Sequence, residues 1–272
     1  MTVDRAPIDP DEVTRILRQV ALEAVMPRFR NLGAGDTREK APGDLVTIAD
    51  EESERLLAQR LPPLLPGSRV VGEEGAAADP STLDVLADDV PVWIVDPVDG
   101  TQNFADGVAC FGLIAALCRR GEILAGWIHD PVNDRTLHAL AGEGVWEGER
   151  RLAPLPAPPP VGDMVGYLGP RFRRRFGEMR EEGNRDVPQP IPRLKCVARE
   201  YMELADGRRH FARYGGRLKP WDHAAGVLML RELGGVARSL EGQDYRAEVP
   251  RESSLMITPD ETSWNALNDL MD

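Results

Sequence analysis

The sequence has no apolar stretch that approaches the roughly 20 residues needed to span a bilayer. Its N-terminus also lacks the basic segment and apolar core of a signal peptide. Cysteine is scarce: Cys110, Cys118 and Cys196 are odd in number and widely spaced, which argues against a disulfide framework and against a zinc site. We therefore expect a cytoplasmic protein in which each cysteine is a small core residue.

Positive charge is also in short supply, since 33 basic residues face 45 acidic ones and the net charge is −12. This balance argues against general nucleic-acid binding and against docking on anionic membranes. It does not exclude small anionic substrates, because bound divalent cations would reverse the local field. With 272 residues, of which 42% are hydrophobic, the chain can form one large domain or two packed subdomains.

Helical and strand patterns are mixed along the chain, without an internal repeat. Apolar residues at helical spacing predict helices at 9–27, 51–60, 171–182, 196–205, 221–233 and 260–271. Short apolar runs between turn residues predict strands at 69–72, 91–95, 112–118, 123–129, 136–141, 144–147, 164–168, 210–214 and 254–257. The close spacing of the strands between 112 and 147 implies antiparallel pairing. Loops are predicted at 31–44 and 76–89, and the whole indicates an α+β or layered α/β arrangement.

The clearest boundary is the segment 152–160, LAPLPAPPP, whose prolines disfavour both a helix and a central strand. We expect it to separate an N-terminal α+β subdomain, 1–151, from a C-terminal α/β subdomain, 161–272.

The most informative stretch is 96–104, Asp-Pro-Val-Asp-Gly-Thr-Gln-Asn-Phe, which follows a short apolar run. Two carboxylates lie three residues apart where the predicted strand ends. Pro97 fixes one φ angle, and Gly100 permits a conformation that other residues resist. A stiff turn with two acids and a hydroxyl suits a hard cation such as Mg²⁺. The alternative is an Asx-type turn, whereas an EF-hand calcium loop is excluded because Val98 stands where a second acid is needed.

Three further acidic features lie at the ends of predicted elements, where sites tend to be built. They are Asp50, the pair Glu73-Glu74, and Asp222 within the segment 221–226, Trp-Asp-His-Ala-Ala-Gly. Taken singly, Asp222 is interpreted as a helix cap and Glu73-Glu74 as a solvated pair. Taken together with 96–104, they indicate a site. The sequence has no Cys or Ser nucleophile motif, which is consistent with direct attack by water.

This set of acids resembles the inositol monophosphatase family in order and spacing over most of the chain. The resemblance rests on the segments 46–50, 72–74, 96–104 and 221–226, and on a Gly-rich hairpin at 142–148. It implies a layered αβαβα sandwich of the sugar-phosphatase type and hydrolysis of small phosphate monoesters by metal-activated water. It also implies a homodimer, dependence on two or three Mg²⁺ ions, and inhibition by Li⁺.

The resemblance implies a set of metal ligands. Glu73, Asp96 and the carbonyl of Val98 would hold one Mg²⁺, and Asp96, Asp99 and Asp222 would hold a second. If these carboxylates converge, they cannot all stay ionised without cations, since two like charges 4 Å apart repel by about 4 kcal/mol at a typical effective dielectric. Most of these ligands belong to the predicted subdomain 1–151, whereas 161–272 supplies Asp222 and the specificity surface.

The resemblance also implies catalytic and substrate-binding roles. Asp50 and Thr101 would orient or activate the attacking water, and Glu74 would support the site. Gly100 and Thr101 would offer backbone N–H groups to the phosphate, with Asp222 also at the substrate. Because a metal lowers the pKa of its bound water, these residues need only position the water and relay a proton.

The positions that recognise substrate depart from the family pattern. The segment 195–198, Lys-Cys-Val-Ala, stands where the family has a Gly-Ser-Ala segment that lines the sugar pocket, and Gln102 stands where many members have Thr. The acid that commonly lies about seven residues before the last Asp is missing. We predict that Arg217 and Lys219 bind an anionic part of the substrate, the alternative being solvated loop charges. Lys40 either approaches the metal site or is a flexible surface lysine.

Substrate candidates are inositol phosphates, fructose bisphosphate, histidinol phosphate and adenosine 3′,5′-bisphosphate. A second hypothesis is a non-catalytic regulatory relative that binds metal and phosphorylated metabolites. Intact Asp50 and Thr101 argue against it, because a binding protein has no need to position water. A third hypothesis, a structural Ca²⁺ module, lacks the EF-hand pattern.

Overall fold

The computed structural model of the chain describes residues 8–41, 43–248 and 252–271. Helices α1 to α8 span, in order, Pro10–Val20, Ile48–Arg60, Glu73–Ala78, Thr101–Ala105, Pro170–Glu181, Val197–Ala205, Pro220–Glu232 and Glu261–Met271. Strands β1 to β14 span Thr37–Ala41, Asp44–Thr47, Arg69–Gly72, Val92–Asp99, Gly112–Arg119, Glu122–Asp130, Arg135–Leu140, Gly144–Glu147, Arg150–Arg151, Val165–Leu168, Gln189–Pro192, Phe211–Arg217, Val236–Arg238 and Glu252–Thr258. Residues 1–7, which begin the N-terminal sequence interpreted above as lacking a signal peptide, lie outside the described residues.

Two large sheets organise the fold. The first has seven strands in the order β3-β4-β5-β6-β7-β8-β9, with β3 parallel to β4 and the remaining neighbours antiparallel. The second has five strands in the order β11-β10-β12-β14-β13. The antiparallel pairing predicted for the strands between 112 and 147 is therefore confirmed.

The helices form three layers around these sheets. Along β4, Trp93 and Val95 point to a core shared with α1 and α2, whereas Ile94 points to the opposite core, shared with α6 and α7. The inner face of the five-stranded sheet belongs to that second core, and its outer face packs against α5 and α8. This alternation follows from the two-residue period of a strand. It produces the α+β layered sandwich that the sequence predicted.

Small residues let α7 lie unusually close to its neighbours. A β-carbon on Gly126 of β6 would lie 2.7 Å from the Cα of Ala225, and one on Gly226 would overlap the ring of Tyr201 in α6. Both glycines are therefore required by close approach. The contacts on its two sides fix the depth at which α7 sits between the sheet and α6, and thereby the position of its first turn.

Two predicted loops contain regular structure. Residues 37–47 form the hairpin β1-β2, which was missed because β1 is largely exposed and carries no apolar alternation. The region 76–89 contains the end of α3 and a 3₁₀-helix, Pro80–Ala87. Asp79 caps that helix, and Leu83 and Leu86 are buried three residues apart.

The segment 152–160 is irregular and connects β9 to the part of the chain that forms the five-stranded sheet. The division into subdomains 1–151 and 161–272 stays a prediction. Within the ranges that the structure describes, none of the helices combines the length and the apolar character needed to cross a membrane.

Candidate active site

The parallel pairing of β3 with β4 brings the first two acids together. Gly72, the last residue of β3, lies opposite Val95 of β4. Glu73 follows Gly72 and Asp96 follows Val95, so both carboxylates emerge at the same edge of the sheet. Asp96 is buried, with 2% of its surface exposed.

Strand β4 continues past Asp96, which corrects the predicted turn. Asp96 lies opposite Ile114 and Asp99 opposite Gly112, so two residues of β4 bulge out against one of β5. Pro97 cannot donate a ladder hydrogen bond, and this accounts for a bulge at this point. Gly100 then adopts φ +88°, a conformation that suits glycine, and α4 begins at Thr101.

The first turn of α7 delivers the third acid. Carboxylate oxygens of Glu73, Asp96 and Asp222 all lie within 4.8 Å of one another, in a group that could hold a metal ion. Asp96 Oδ1 is buried and has no hydrogen-bond partner among the described residues. The group lines a cavity of 190 Å³ that is also lined by Val98, Asp99, Gly100 and Thr101.

The three acids oppose one another electrostatically. Burial raises the pKa of Asp96 well above its usual value, and the charges of Glu73, Asp99 and Asp222 raise it further. Burial and then Glu73 raise the pKa of Asp222 in the same way. A buried oxygen without a partner, aimed at other carboxylates, is the donor set that a hard divalent cation prefers.

Two lysines reach the same group. Lys40 Nζ lies 3.2 Å from Glu73 Oε1 and 2.8 Å from Glu74 Oε1, and Lys219 Nζ lies 3.1 Å from Glu73 Oε1. Burial alone would lower the pKa of each lysine, but the neighbouring carboxylates outweigh it and raise both pKa values. Of the two alternatives given for Lys40, the structure supports the first, since its ammonium group contacts acids of the site rather than extending into solvent.

Asp50 and Thr101 form a fixed pair beside the cavity. Thr101 Oγ1 lies 3.0 Å from Asp50 Oδ1 and 3.0 Å from the carbonyl oxygen of Val98. The other oxygen of Asp50 accepts hydrogen bonds from the backbone N–H and hydroxyl of Thr47, at 2.8 and 2.5 Å. These bonds form the capping box that starts α2, at Ile48 rather than at the predicted residue 51. Burial raises the pKa of Asp50 to about 6, against the opposing effect of its hydrogen bonds.

Asp99 lines the cavity but turns its carboxylate toward α6. Its Oδ2 accepts a 2.7 Å hydrogen bond from the N–H of Ala198, and the carboxylate also interacts with the N–H of Val197 and the thiol of Cys196. Cys196 in turn shares a hydrogen bond with the thiol of Cys110. All three cysteines are free, as expected. Cys196 and Cys110 nevertheless lie next to Asp99, a candidate metal ligand, and the spacing of the cysteines in the sequence does not predict this position.

Other residues at or near the site lie in positions that differ from the sequence predictions. Arg217 is not among the described residues that line the cavity, whereas Lys195 lines it together with Lys219. Glu54 of α2, which the sequence interpretation missed, accepts hydrogen bonds from the N–H groups of Glu74 and Gly75, at 2.8 and 2.7 Å. It thereby fixes the start of α3. Its one sequence signal is its place four residues after Asp50, on the same face of α2.

Comparisons with known proteins identify relatives of this chain. A model of the inositol monophosphatase family matches residues 9–268. The chain is 33% identical over 214 residues to an inositol-1-monophosphatase of Bacillus subtilis, covering 75% of this chain and 76% of that protein. It is 30% identical over 220 residues to a fructose-1,6-bisphosphatase/inositol-1-monophosphatase of Thermotoga maritima, covering 79% and 80%. The solved structure of inositol monophosphatase II from Staphylococcus aureus superposes with a TM-score of 0.76 at 26% identity, covering 95% of this chain and 91% of that one.

Proposed function

Because this chain belongs to the inositol monophosphatase family and is therefore a phosphoric monoester hydrolase, we propose that it hydrolyses small phosphate monoesters with Mg²⁺ as its cofactor. The observation that carries the proposal is the convergence of Glu73, Asp96 and Asp222 beside the Asp50–Thr101 pair. A homodimer, a cytoplasmic location and inhibition by Li⁺ remain predictions that accompany it.

The donor set supports a site for Mg²⁺. Glu73, Asp96 and Asp222 would hold the ions, with the Val98 carbonyl and Asp99 as further ligands at the cavity wall. The unpartnered Oδ1 of Asp96 fits this role, because a buried carboxylate oxygen without a hydrogen bond otherwise carries an uncompensated desolvation cost. Mg²⁺, when bound, would lower the pKa of a water and offset the charge of the phosphate.

The Asp50–Thr101 pair would hold the attacking water and take its proton. Thr47 occupies one oxygen of Asp50, so the carboxylate cannot rotate freely and its other oxygen faces Thr101. The Thr101 hydroxyl can accept a hydrogen bond from water while donating to Asp50. With a pKa of about 6, Asp50 is ionised at neutral pH and close enough to it to accept a proton.

The start of α4 would bind the phosphate. Gly100 and Thr101 lie at the cavity wall, where their N–H groups would face phosphate oxygens, and Asp222 borders the same space. Glu74 would support the site through its contact with Lys40, which also reaches Glu73. Lys219 forms an ion pair with Glu73. We therefore propose that its main role is to hold that ligand in place, and that contact with the substrate is its secondary role. We retain Arg217 as a more peripheral substrate contact.

A substrate panel tests the proposal. Phosphate release is measured with and without Mg²⁺ from inositol 1-phosphate, fructose 1,6-bisphosphate, histidinol phosphate and adenosine 3′,5′-bisphosphate. The first two belong in the panel because the Thermotoga maritima relative is named for both activities. We expect Mg²⁺-dependent release from at least one ester and loss of most activity in Asp96→Asn. Asp84→Asn, at an exposed acid far along the 3₁₀-helix, is the matched control.

The non-catalytic alternative makes a different prediction. A regulatory binding protein would bind these metabolites in the presence of Mg²⁺, yet release no phosphate from any of them. The Asp50–Thr101 contact favours turnover, since simple binding does not require a positioned proton acceptor. Binding without release across the whole panel would refute the proposed reaction.

A further inference from the structure

The chain contains 30 arginines but only three lysines, and all three lie at one place. Lys40 contacts Glu73 and Glu74, Lys219 contacts Glu73, and Lys195 lines the same cavity. Lysine presents a compact point charge on a flexible stem, unlike the planar fork of arginine, and serves as a phosphate ligand in that form. A protein that uses arginine almost everywhere else thus concentrates lysine at its candidate active site.

Lys195 adopts a backbone conformation that lysine resists. Its φ is +57°, in the left-handed region, which costs a residue with a side chain about 1–2 kcal/mol relative to the right-handed form. Such strained residues persist where the surrounding structure fixes them, and they cluster at binding sites. The strain therefore points to a role for the side chain that glycine, which suits this conformation, would not supply.

A buried carboxylate and a partly buried side-chain amide fix the loop that carries Lys195. The carboxylate of Glu200, which is fully buried, accepts 2.6 Å hydrogen bonds from Arg193 Nε and from the N–H of Leu194. The side-chain amide of Asn103, from α4, donates to the carbonyl oxygens of Leu194 and Lys195, at 2.9 and 3.4 Å. The loop is thereby tied to the helix that begins at the proposed phosphate-binding residues, and Lys195 is presented from a rigid support.

The ammonium group of Lys195 is not neutralised as the other two are. Lys40 and Lys219 share Glu73, but in the part of the chain that the structure describes no carboxylate forms an ion pair with Lys195. The residue is exposed and lines the mouth of a cavity whose other walls carry Glu73, Asp96, Asp99 and Asp222. Its charge is thus available to a ligand that enters the cavity.

We propose that Lys195 is a specificity-determining residue that binds a second anionic group of the substrate. The preferred substrates would then be phosphate monoesters that carry a further phosphate or carboxylate. This inference rests on the proposed phosphatase function and narrows its substrate class. The reacting phosphate lies deeper, against the N–H groups of Gly100 and Thr101 and the metal ligands, and the second anion lies at the mouth.

Matched substrate pairs test the inference. One pair is fructose 1,6-bisphosphate and fructose 1-phosphate, which differ by a phosphate. The other is 3-phosphoglycerate and glycerol 3-phosphate, which differ by a carboxylate. The measured quantity is the ratio of kcat/KM within each pair. We expect the wild-type protein to prefer the member with two anionic groups in at least one pair. Lys195→Gln should reduce the ratio of kcat/KM values in that pair about tenfold, mainly by raising KM, because one charge-assisted hydrogen bond is lost.

Two further variants separate the charge from the backbone. Lys195→Arg keeps the charge and should retain most of the preference. Lys195→Gly removes the side chain and relieves the strain, so it should lose the preference while its thermal stability stays equal to the wild type or rises. Added KCl should reduce the wild-type ratio but not that of Lys195→Gln, because screening acts on exposed charges.

The outcomes distinguish this inference from the function it builds on. If the wild-type protein releases phosphate from none of the four esters or the earlier panel, the phosphatase proposal itself fails. If esters are cleaved but neither pair shows a preference for its doubly anionic member, the inference fails alone. It also fails if Lys195→Gln lowers kcat/KM equally for both members of each pair, since Lys195 would then act on the reacting phosphate or on the scaffold.

Discussion

Replacing Asp96 with asparagine should stabilise the metal-free protein and remove its stabilisation by Mg²⁺. Oxygens of Glu73, Asp96 and Asp222 lie within 4.8 Å of one another, and at an effective dielectric of about 20 two unit charges at that distance repel by about 3.5 kcal/mol. Asp96 takes part in two of the three pairs, so at that separation removing its charge relieves up to about 7 kcal/mol if all three acids are ionised, before the offset from the Lys40 and Lys219 charges beside Glu73. Asparagine has the same shape, which leaves the packing unchanged.

Protonation lowers this ceiling and makes the effect depend on pH. Burial and the neighbouring acids raise the pKa of Asp96, so the folded chain holds a proton that the unfolded chain releases near its usual pKa of about 4. The associated stability is present below that value and is lost as pH rises through the folded pKa. The stability gained by Asp96→Asn should therefore be larger at pH 8 than at pH 6 and vanish near pH 4. We expect the free energy of unfolding of Asp96→Asn to exceed that of the wild type by at least about 1 kcal/mol at pH 8. This minimum is the lower end of the range that a buried, unpaired polar group costs.

Urea unfolding followed by tryptophan fluorescence measures the effect, in EDTA and in Mg²⁺, at pH 6 and pH 8. In EDTA, Asp96→Asn should exceed the wild type in stability, and by more at the higher pH. In Mg²⁺ at 100 times its dissociation constant, the wild type should gain about 2.7 kcal/mol and the variant little. Asp84→Asn, at an exposed acid, should follow the wild type throughout.

Two results would refute the reasoning. In the first, Asp96→Asn is less stable than the wild type in EDTA at pH 8, so that the carboxylate stabilises the fold rather than opposing it. In the second, Mg²⁺ stabilises the variant as much as the wild type, so that Asp96 is not a ligand.

Three further predictions concern proton transfer, metal affinity and packing. Thr101→Val should lower kcat about 100-fold with little change in KM, because the hydroxyl relays the proton to Asp50. Thr101→Ser keeps the hydroxyl and should retain most of the rate. Steady-state kinetics measure kcat and KM for both variants. Burial and the neighbouring acids raise the pKa values of the proposed ligands Asp96 and Asp222, so protons compete with Mg²⁺ for these carboxylates, and the half-saturating Mg²⁺ concentration should rise by about tenfold per proton displaced for each unit that the pH falls. Gly226→Ala, whose methyl group would overlap an aromatic ring, should destabilise the fold by about 1–3 kcal/mol and lower kcat, whereas Gly177→Ala in α5, with no heavy atom within 4 Å of the new methyl, should stabilise it by about 0.4–1 kcal/mol.

Each of these has a contrary outcome. Equal losses in Thr101→Val and Thr101→Ser would assign the effect to packing rather than to the hydroxyl. A half-saturating Mg²⁺ concentration that is constant from pH 8 to pH 6 would show that no buried acid competes for protons. A Gly226→Ala protein with wild-type stability and kcat would show that the aromatic ring moves aside at little cost.

The sequence predicted most elements of the fold because their apolar residues form clear runs or a clear period. β4 and β5 are continuous apolar runs buried on both faces, α1 buries residues at helical spacing, and α7 is a long apolar segment buried on nearly all sides. The hairpin β1-β2 was missed because charged, exposed strands show no alternation. The bulge after Asp96 was taken for a turn, since proline and glycine mark both, and strand register depends on the partner strand.

The sequence predicted those site residues whose positions follow from a local motif. It did not predict contacts that depend on how distant elements pack together. Glu73 starts α3, Asp222 lies in the first turn of α7, and Asp96 lies in β4 just before its bulge, and the structure brings the three together. The orientation of Asp99 depends on the first turn of α6, almost a hundred residues away, and the contacts of Lys40 with Glu73 and Glu74 join separate elements. No short-range signal carries such information.

The close packing of α7 bears on how variants of this protein would be classified. Gly126 packs against Ala225 and Gly226 against the ring of Tyr201, neither of which we place at the phosphate or the metal, yet these contacts set the depth of the helix that carries Asp222. A genetic screen for lost activity would therefore recover substitutions at both glycines and group them with those of the acids. Suppressor mutations would separate the two classes: smaller residues at the facing Ala225 or Tyr201 could restore the glycine variants, while no change in packing would restore a missing carboxylate.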